Sequence, residues 1–132
     1  MKCAVSIDLD GLACYYRIHG LGAAPGELEH VILERALPRA AALFAAKKLN
    51  VTWFVIGRDV DADAALPNQK ARIANAQRLR ALFDRGDELG NHSYSHPYEL
   101  ARMTAPAIDN EIGNCDRVLR DITKQGVRGF RA

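Results

Sequence analysis

Hydrophobic positions along the chain alternate between short runs typical of strands and longer stretches with helical spacing. The run "CAVSID", residues 3 to 8, alternates and is rich in β-forming residues, and a Gly- and Ala-rich loop is expected after it. The run "VTWFVIG", residues 51 to 57, is continuously apolar, as in a strand covered on both faces. The segments "DELG", residues 87 to 90, and "VRGFRA", residues 127 to 132, predict a third and a fourth strand.

Helical spacing predicts three helices between these strands. The first is "LPRAAALFAAKKLN", residues 37 to 50, with Pro38 in its first turn. The second covers residues 69 to 85 and is followed by Gly86 at a C-cap position. The third runs from the N-cap residue Thr104 to Gly126. Four β units joined by three helical connections imply an α/β fold of parallel strands with right-handed crossovers.

Polar clusters follow three of the four predicted strands. They are "DLDG", residues 8 to 11, "HSYSH", residues 92 to 96, and Arg131. Because the carboxyl ends of parallel strands lie at one edge of a barrel or sheet, where active sites are built, we expect these clusters to converge.

Composition and charge narrow the function classes. The 132 residues are 48% apolar and 26% charged, which is typical of one soluble globular domain. The formal charge of +2 is spread along the chain, so we expect neither a nucleic-acid partner nor a membrane surface. No apolar run approaches the ~18 residues that span a bilayer. With the first strand beginning directly after Met1, we expect no signal peptide and a cytoplasmic location.

The cysteines are odd in number and form no CxxC pair. Cys3, Cys14 and Cys115 are therefore predicted to be small buried residues with free thiols, in a reducing compartment.

The two histidines of "HSYSH" suggest a metal site. Residues i and i+4 share one face of a helical turn, so His92 and His96 could reach one ion, and zinc sites commonly combine such histidines with a carboxylate. A pair of surface or capping histidines is the alternative. The segment lacks the glutamate of HExxH, which argues against a zinc metalloprotease of that type.

"DLDG" could supply the missing carboxylates. If strand geometry persists, Asp8 and Asp10 point to the same side while Leu9 points into packing. One carboxylate could then bind metal and the other accept a proton. Taken alone, the same residues are more often a solvated turn; their expected place on the same rim as the histidines favours the site.

Three motifs resemble those of the polysaccharide deacetylase (NodB-homology) family of metal-dependent carbohydrate esterases. "SIDLDG" corresponds to the first family motif, TFDDG; "GNHSYSHP" matches the second, H(S/T)xxH; and "RGFRA" resembles the start of the third, RxPY. The resemblance implies the N-terminal four strands of a distorted (β/α)7 TIM-like barrel. Residues 1 to 132 would then be a single domain, incomplete at the C-terminus. We therefore expect a fragment of a longer protein, or a homo-oligomer in which a second chain completes the barrel.

The resemblance also implies roles for individual residues. Asp10, His92 and His96 would hold a divalent ion, zinc before other transition metals. Asp8 would be the general base, and Arg131 would keep its carboxylate ionised and aimed. The family's adjacent aspartates are separated here by a leucine, so which aspartate is the base stays open. The proton donor for the leaving amine would belong to a later family motif.

Two further residues are candidate substrate contacts. Ser93 lies beside the first histidine, where the family often has Ser or Thr near bound sugar, and His19 is expected on the loop that leaves the first motif. Tyr15 and Tyr16 either line a sugar cleft or cap the barrel.

Three functions remain open at this point. The first is metal-dependent removal of an N-acetyl group from an amino sugar or glycan. The second is a related hydrolase, a deformylase or amidase, that cleaves a C–N bond in a small substrate. The third is a non-catalytic metal-binding module. The expected partner is an N-acetylated carbohydrate or a small amide.

Overall fold

The structure is a computed structural model that describes residues 3 to 132. Three parallel strands form one sheet in the order β1-β2-β3, with β1 at Ser6–Asp8, β2 at Thr52–Val55 and β3 at Glu88–Asn91. In this register, Ser6 pairs with Thr52 and Thr52 pairs with Glu88. The predicted α/β class with parallel strands is confirmed.

Four α-helices connect or follow the strands: α1 at Leu12–Ile18, α2 at Leu37–Ala46, α3 at Gln69–Asp84 and α4 at Ala105–Thr123. Single 3-10 turns lie at Gly26–Leu28, Gly57–Asp59 and Leu100–Arg102. A π-helical turn at Ile32–Ala36 leads directly into α2. Among residues 3 to 132, no helix is both long enough and apolar enough to cross a bilayer.

The predicted fourth strand is reduced to one bridge. Phe130 forms a parallel bridge with Asn91, whose N–H donates to the Gly129 carbonyl at 2.7 Å, while the Arg131 N–H donates to the Asn91 carbonyl at 3.0 Å. This segment pairs on one side only within the described chain, and the pairing does not extend beyond this bridge. The bridge still fixes Arg131 beside the end of β3.

The segment after β1 is a helix where a loop was expected. The residues of α1 contain neither Gly nor Pro, and the flexible composition begins only behind it, with Gly20 and Gly22 at φ +63° and +80°. Only Cys14 of this helix is buried, so the sequence has no periodic apolar pattern from which the helix could be predicted.

Two of the predicted helix ends fall too late. Helix α2 ends at Ala46, not at residue 50, in a Schellman motif: Lys48 has φ +55°, its N–H donates to Ala45, and the Leu49 N–H donates to Phe44. Helix α4 likewise stops before Gly126, because Lys124 takes φ +61°. Glycine at such left-handed positions would have indicated the helix ends in the sequence, whereas lysine does not.

Other helix predictions are confirmed. Gly86 follows the C-cap of α3 with φ +104°, and Thr104 is the N-cap of α4. Pro38 occupies the first turn of α2, where a missing N–H is tolerated, although the π-helical turn already precedes it.

The core lies between the sheet and the helices. Trp53 is completely buried, packs edge-on against Phe44 of α2 at a centroid distance of 6.1 Å, and donates its indole N–H to Asp87 at 2.8 Å. Leu79 of α3 and Leu119 of α4 are also fully buried in this cluster. The sheet is therefore held rigidly, and the loops at its carboxyl edge project from a fixed base.

The cysteine prediction holds for two of three residues. Cys14 and Cys115 are buried free thiols, whereas Cys3 is exposed, because it precedes β1 instead of lying within it. Burial raises the pKa of the Cys115 thiol to about 12.

Candidate metal centre

Asp10, His92 and His96 meet at the carboxyl edge of the sheet. The Asp10 Oδ1 atom lies 3.2 Å from Nε2 of His92 and 3.6 Å from Nε2 of His96. The two imidazole centroids are 4.6 Å apart, and one ligand atom from each residue lies within 4.8 Å of the others. The structure thus brings together the three residues named as candidate metal ligands. Leu9 between the aspartates is buried in the core, as the strand alternation predicted.

The tautomer of His92 leaves a lone pair facing Asp10. Its Nδ1 lies 2.7 Å from the Arg131 carbonyl, and because a carbonyl oxygen only accepts, Nδ1 carries the proton. Nε2 is buried and has no hydrogen-bond partner among residues 3 to 132. A lone pair that faces a carboxylate at 3.2 Å is unfavourable unless a proton or a metal cation lies between them. The residues therefore fit a divalent cation.

The pKa values of the three residues are shifted by burial and by their mutual contacts. The contact with His92 lowers the pKa of the Asp10 carboxyl, with burial opposing. Burial also opposes charge on His92, but Asp10 and the Arg131 carbonyl outweigh it and raise its pKa. Burial lowers the pKa of His96. Asp10 is thus favoured as a carboxylate and His96 as a neutral imidazole, the forms that bind metal, whereas the raised pKa of His92 favours a proton between it and Asp10, which a bound cation would displace.

The "HSYSH" segment is a loop and not the expected helical turn. Ser93 and His96 take left-handed conformations, with φ +58° and +54°, and Pro97 disfavours the right-handed helical region for the residue before it. The Asn91 side chain accepts from the Ser93 N–H at 2.9 Å, and the Ser93 hydroxyl accepts from the His96 N–H at 3.1 Å. The fold of this loop, and not helical spacing, brings the histidines together.

Glu111 of helix α4 stabilises the histidine loop through hydrogen bonds to its carboxylate. One carboxylate oxygen accepts from the backbone N–H groups of Tyr94 at 3.0 Å and Ser95 at 2.8 Å, and the other accepts from the Ser95 hydroxyl at 2.8 Å. Sequence reasoning missed Glu111. The available signal was its position three residues after Ile108 and four before Cys115, an acidic residue on the apolar side of the helix.

Asp8 and Arg131 form a pair beside the three candidate metal ligands. Arg131 donates to the Asp8 carboxylate at 2.7 Å and to the Ser6 hydroxyl at 2.9 Å. Its guanidinium lies over the Phe54 ring, 4.2 Å from the centroid. The ring in turn lies against Gly90, where a Cβ atom would come within 2.6 Å of it. Glycine before the histidine motif therefore makes room for the ring that supports Arg131.

The two candidate substrate contacts lie elsewhere. Ser93 is only 2% exposed, and its hydroxyl shapes the histidine loop; substrate contact by Ser93 stays a prediction. His19 is exposed at the C-cap of α1, with its ring 4.3 Å from that of Tyr15, and it makes no contact with the ligand triad. Tyr16, in contrast, lines a cleft of about 610 Å³ beside α1, together with Arg17, Glu29 and small residues between 20 and 26.

Comparisons with known proteins identify relatives for most of the chain. The family model of polysaccharide deacetylases matches residues 29 to 132. A peptidoglycan deacetylase of Helicobacter pylori is 24% identical over 131 residues, which are 98% of this chain and 40% of the relative. The chain therefore spans less than half the length of this curated relative.

Solved structures share the fold. A deacetylase solved with substrate superposes with a TM-score of 0.62 at 18% identity, covering 97% of this chain and 47% of that one. A CE4 family pseudoenzyme from Bacillus anthracis gives a TM-score of 0.62 at 20% identity, covering 96% and 33%. At these identities the likeness concerns the fold alone.

Proposed function

The chain belongs to the polysaccharide deacetylase family, and on that basis we propose that it forms the metal-binding part of a hydrolase that removes an N-acetyl group from an amino sugar or glycan. The observation that carries this proposal is the buried Nε2 atom of His92, which has no hydrogen-bond partner among residues 3 to 132 and faces Asp10, next to His96 on the rim that also carries Asp8 and Arg131.

Asp10, His92 and His96 would hold the ion. Two imidazoles and one carboxylate suit zinc and similar divalent metals, and they leave coordination positions open. When bound, such a cation supplies Lewis acidity toward the amide carbonyl and toward water.

Asp8 and Arg131 would carry out the proton transfer from water. Asp8 is assigned as the general base because its Oδ1 atom is engaged by Arg131, whereas the Oδ1 atom of Asp10 faces both imidazoles. Arg131, held over Phe54, orients the Asp8 carboxylate, which would accept a proton from the attacking water.

The cleft beside α1 could accommodate part of a substrate larger than a simple amide. Its lining includes Arg17, which lies over the Tyr98 ring, itself in contact with His96, but none of the three triad residues. A small formyl or cyclic amide would use the same ligands without the cleft, and a cytoplasmic location, expected from the sequence, would favour that substrate. Both belong to one reaction class.

Metal content tests the proposal. Purified wild-type chain is expected to take up one divalent ion, and Asp10→Ala and His96→Ala are expected to lose it. His19→Ala removes an imidazole outside the triad and should retain the ion. Wild-type protein that binds no metal in equilibrium dialysis would refute the proposal.

Hydrolysis separates the roles and the substrates. Acetate release from chitooligosaccharides is compared with formate release from small formyl amides. Asp8→Asn is expected to bind metal but not to hydrolyse; loss of metal would mean that the two aspartates have exchanged roles. Metal binding without cleavage of either amide would indicate a non-catalytic module.

A further inference from the structure

The two histidine ligands are supported in different ways. Metal-bound histidines are usually oriented by a hydrogen bond from the ring nitrogen that does not bind the ion. His92 has this bond, to the Arg131 carbonyl. His96 does not: its Nε2 faces Asp10 at 3.6 Å, and its buried Nδ1 has no hydrogen-bond partner within the part of the chain that the structure describes. Another contact must therefore fix the His96 ring.

Tyr98 supplies such a contact from outside the triad. Its ring stands perpendicular to that of His96, at 87° and a centroid distance of 5.2 Å, which is the favourable edge-to-face geometry of aromatic pairs. Pro97 between the two residues restricts the backbone that relates them.

Helix α1 anchors Tyr98 at both its hydroxyl and its ring. The hydroxyl donates to the Cys14 carbonyl at 3.1 Å, and the Arg17 guanidinium lies over the ring, 5.1 Å from its centroid. Because α1 begins two residues after Asp10, the same helix joins the aspartate ligand to the support of His96.

We propose that Tyr98 is a positioning residue, whose anchored ring holds the His96 imidazole in the orientation that binds metal in place of the missing hydrogen bond. The inference rests on the proposed function, because it assumes that the triad binds an ion. Tyr98 is 49% exposed, so replacing it leaves the hydrophobic core intact.

The test measures metal affinity and ligand geometry without an activity assay. Dissociation constants for Zn²⁺ are obtained by competition with a chromogenic chelator, and the visible absorption of the Co²⁺ form reports the coordination geometry. Melting of the metal-free protein checks the fold. The variants are Tyr98→Ala, Tyr98→Phe and Tyr98→Leu, with Tyr15→Ala as the control, because Tyr15 is an exposed aromatic residue of α1 whose ring contacts His19.

Tyr98→Ala is expected to weaken zinc binding about 10-fold or more, within the range of outer-shell substitutions, and to change the Co²⁺ spectrum. Tyr98→Phe keeps the ring but loses the bond to Cys14, so its loss is smaller. Tyr98→Leu keeps most of the bulk without the ring and resembles the alanine variant. Tyr15→Ala binds as the wild type does.

Two results would overturn the inference while the proposed function stands: Tyr98→Ala with wild-type affinity and spectrum, or equal affinities of the phenylalanine and leucine variants. The comparison of Tyr98→Phe with Tyr98→Leu tests the role of the ring even if Tyr98→Ala has a lowered melting temperature. A wild-type chain that binds no metal would refute the inference together with the proposed function.

Discussion

Replacing Glu111 by alanine should destabilise the protein more than is usual for a partly exposed side chain. The substitution removes three hydrogen bonds to one carboxylate, two of them from backbone N–H groups of the histidine loop. Hydrogen bonds to charged groups contribute about 1.5–3 kcal/mol each, but water can reach this half-buried site and replace part of that energy. A net loss of about 1 kcal/mol per bond gives about 3 kcal/mol, which lowers the melting temperature by about 10 °C for a chain of this size.

Urea unfolding followed by the fluorescence of Trp53, the single tryptophan, measures this loss in the metal-free protein. Asp109→Ala is the matched control, since it removes an exposed carboxylate from the same helix. Glu111→Gln should lose about 1 kcal/mol, because its oxygen serves the two backbone N–H groups and its amide donates to the Ser95 hydroxyl. If Glu111→Ala unfolds within about 0.5 kcal/mol of the Asp109 control, the carboxylate does not hold the loop.

Three other predictions follow from local contacts. Gly90→Ala should destabilise the protein by about 2 kcal/mol in urea, because its Cβ would lie 2.6 Å from the ring packed over it, whereas Gly126→Ala meets nothing within 4 Å and should have little effect; equal losses would contradict this. Burial raises the pKa of Asp59 in the folded state, so its ionisation costs stability that is lost between the ordinary carboxyl pKa and the raised one. Asp59→Asn should therefore melt higher at pH 7, and this difference should shrink once the pH falls below the folded-state pKa and be smallest below the ordinary carboxyl pKa; a lower melting temperature at pH 7 would contradict this. Cys115, with a pKa of about 12, should resist a thiol reagent at pH 8 until the chain unfolds, whereas exposed Cys3 should react at once; rapid labelling of both would contradict the buried assignment.

The strands and the shared rim were predictable because burial dictates them. The apolar run around Trp53 has to be a covered strand, and parallel strands place their carboxyl ends at one edge. The helix ends at Lys48 and Lys124 were not predictable, because backbone hydrogen bonds hold a residue there that has no intrinsic preference for a positive φ. Helix α1 was not predicted either, because a short helix that buries one residue has no periodic pattern of apolar residues.

The motifs indicated which residues lie together, but not the contacts that arrange them. Asp10, His92 and His96 meet as the motifs implied, but spacing on a helical turn is not what joins the histidines. The loop geometry depends on Glu111, which is distant in sequence and is one acidic residue among many until α4 is packed against the loop. A local pattern can indicate which residues bind metal, whereas the contacts that orient them are tertiary.

Arg131 connects the two parts of the site through different atoms. Its guanidinium orients Asp8, 123 residues earlier in the chain, while its carbonyl fixes the tautomer of His92. A sequence motif can identify the Arg131 side chain. Its backbone carbonyl, in contrast, is present in every residue type, so the sequence does not indicate the hydrogen bond to His92. Both contacts depend on the bridge from Phe130 to Asn91. The orientation of the candidate metal ligand and of the candidate base therefore both depend on the last segment of the chain, which docks on β3.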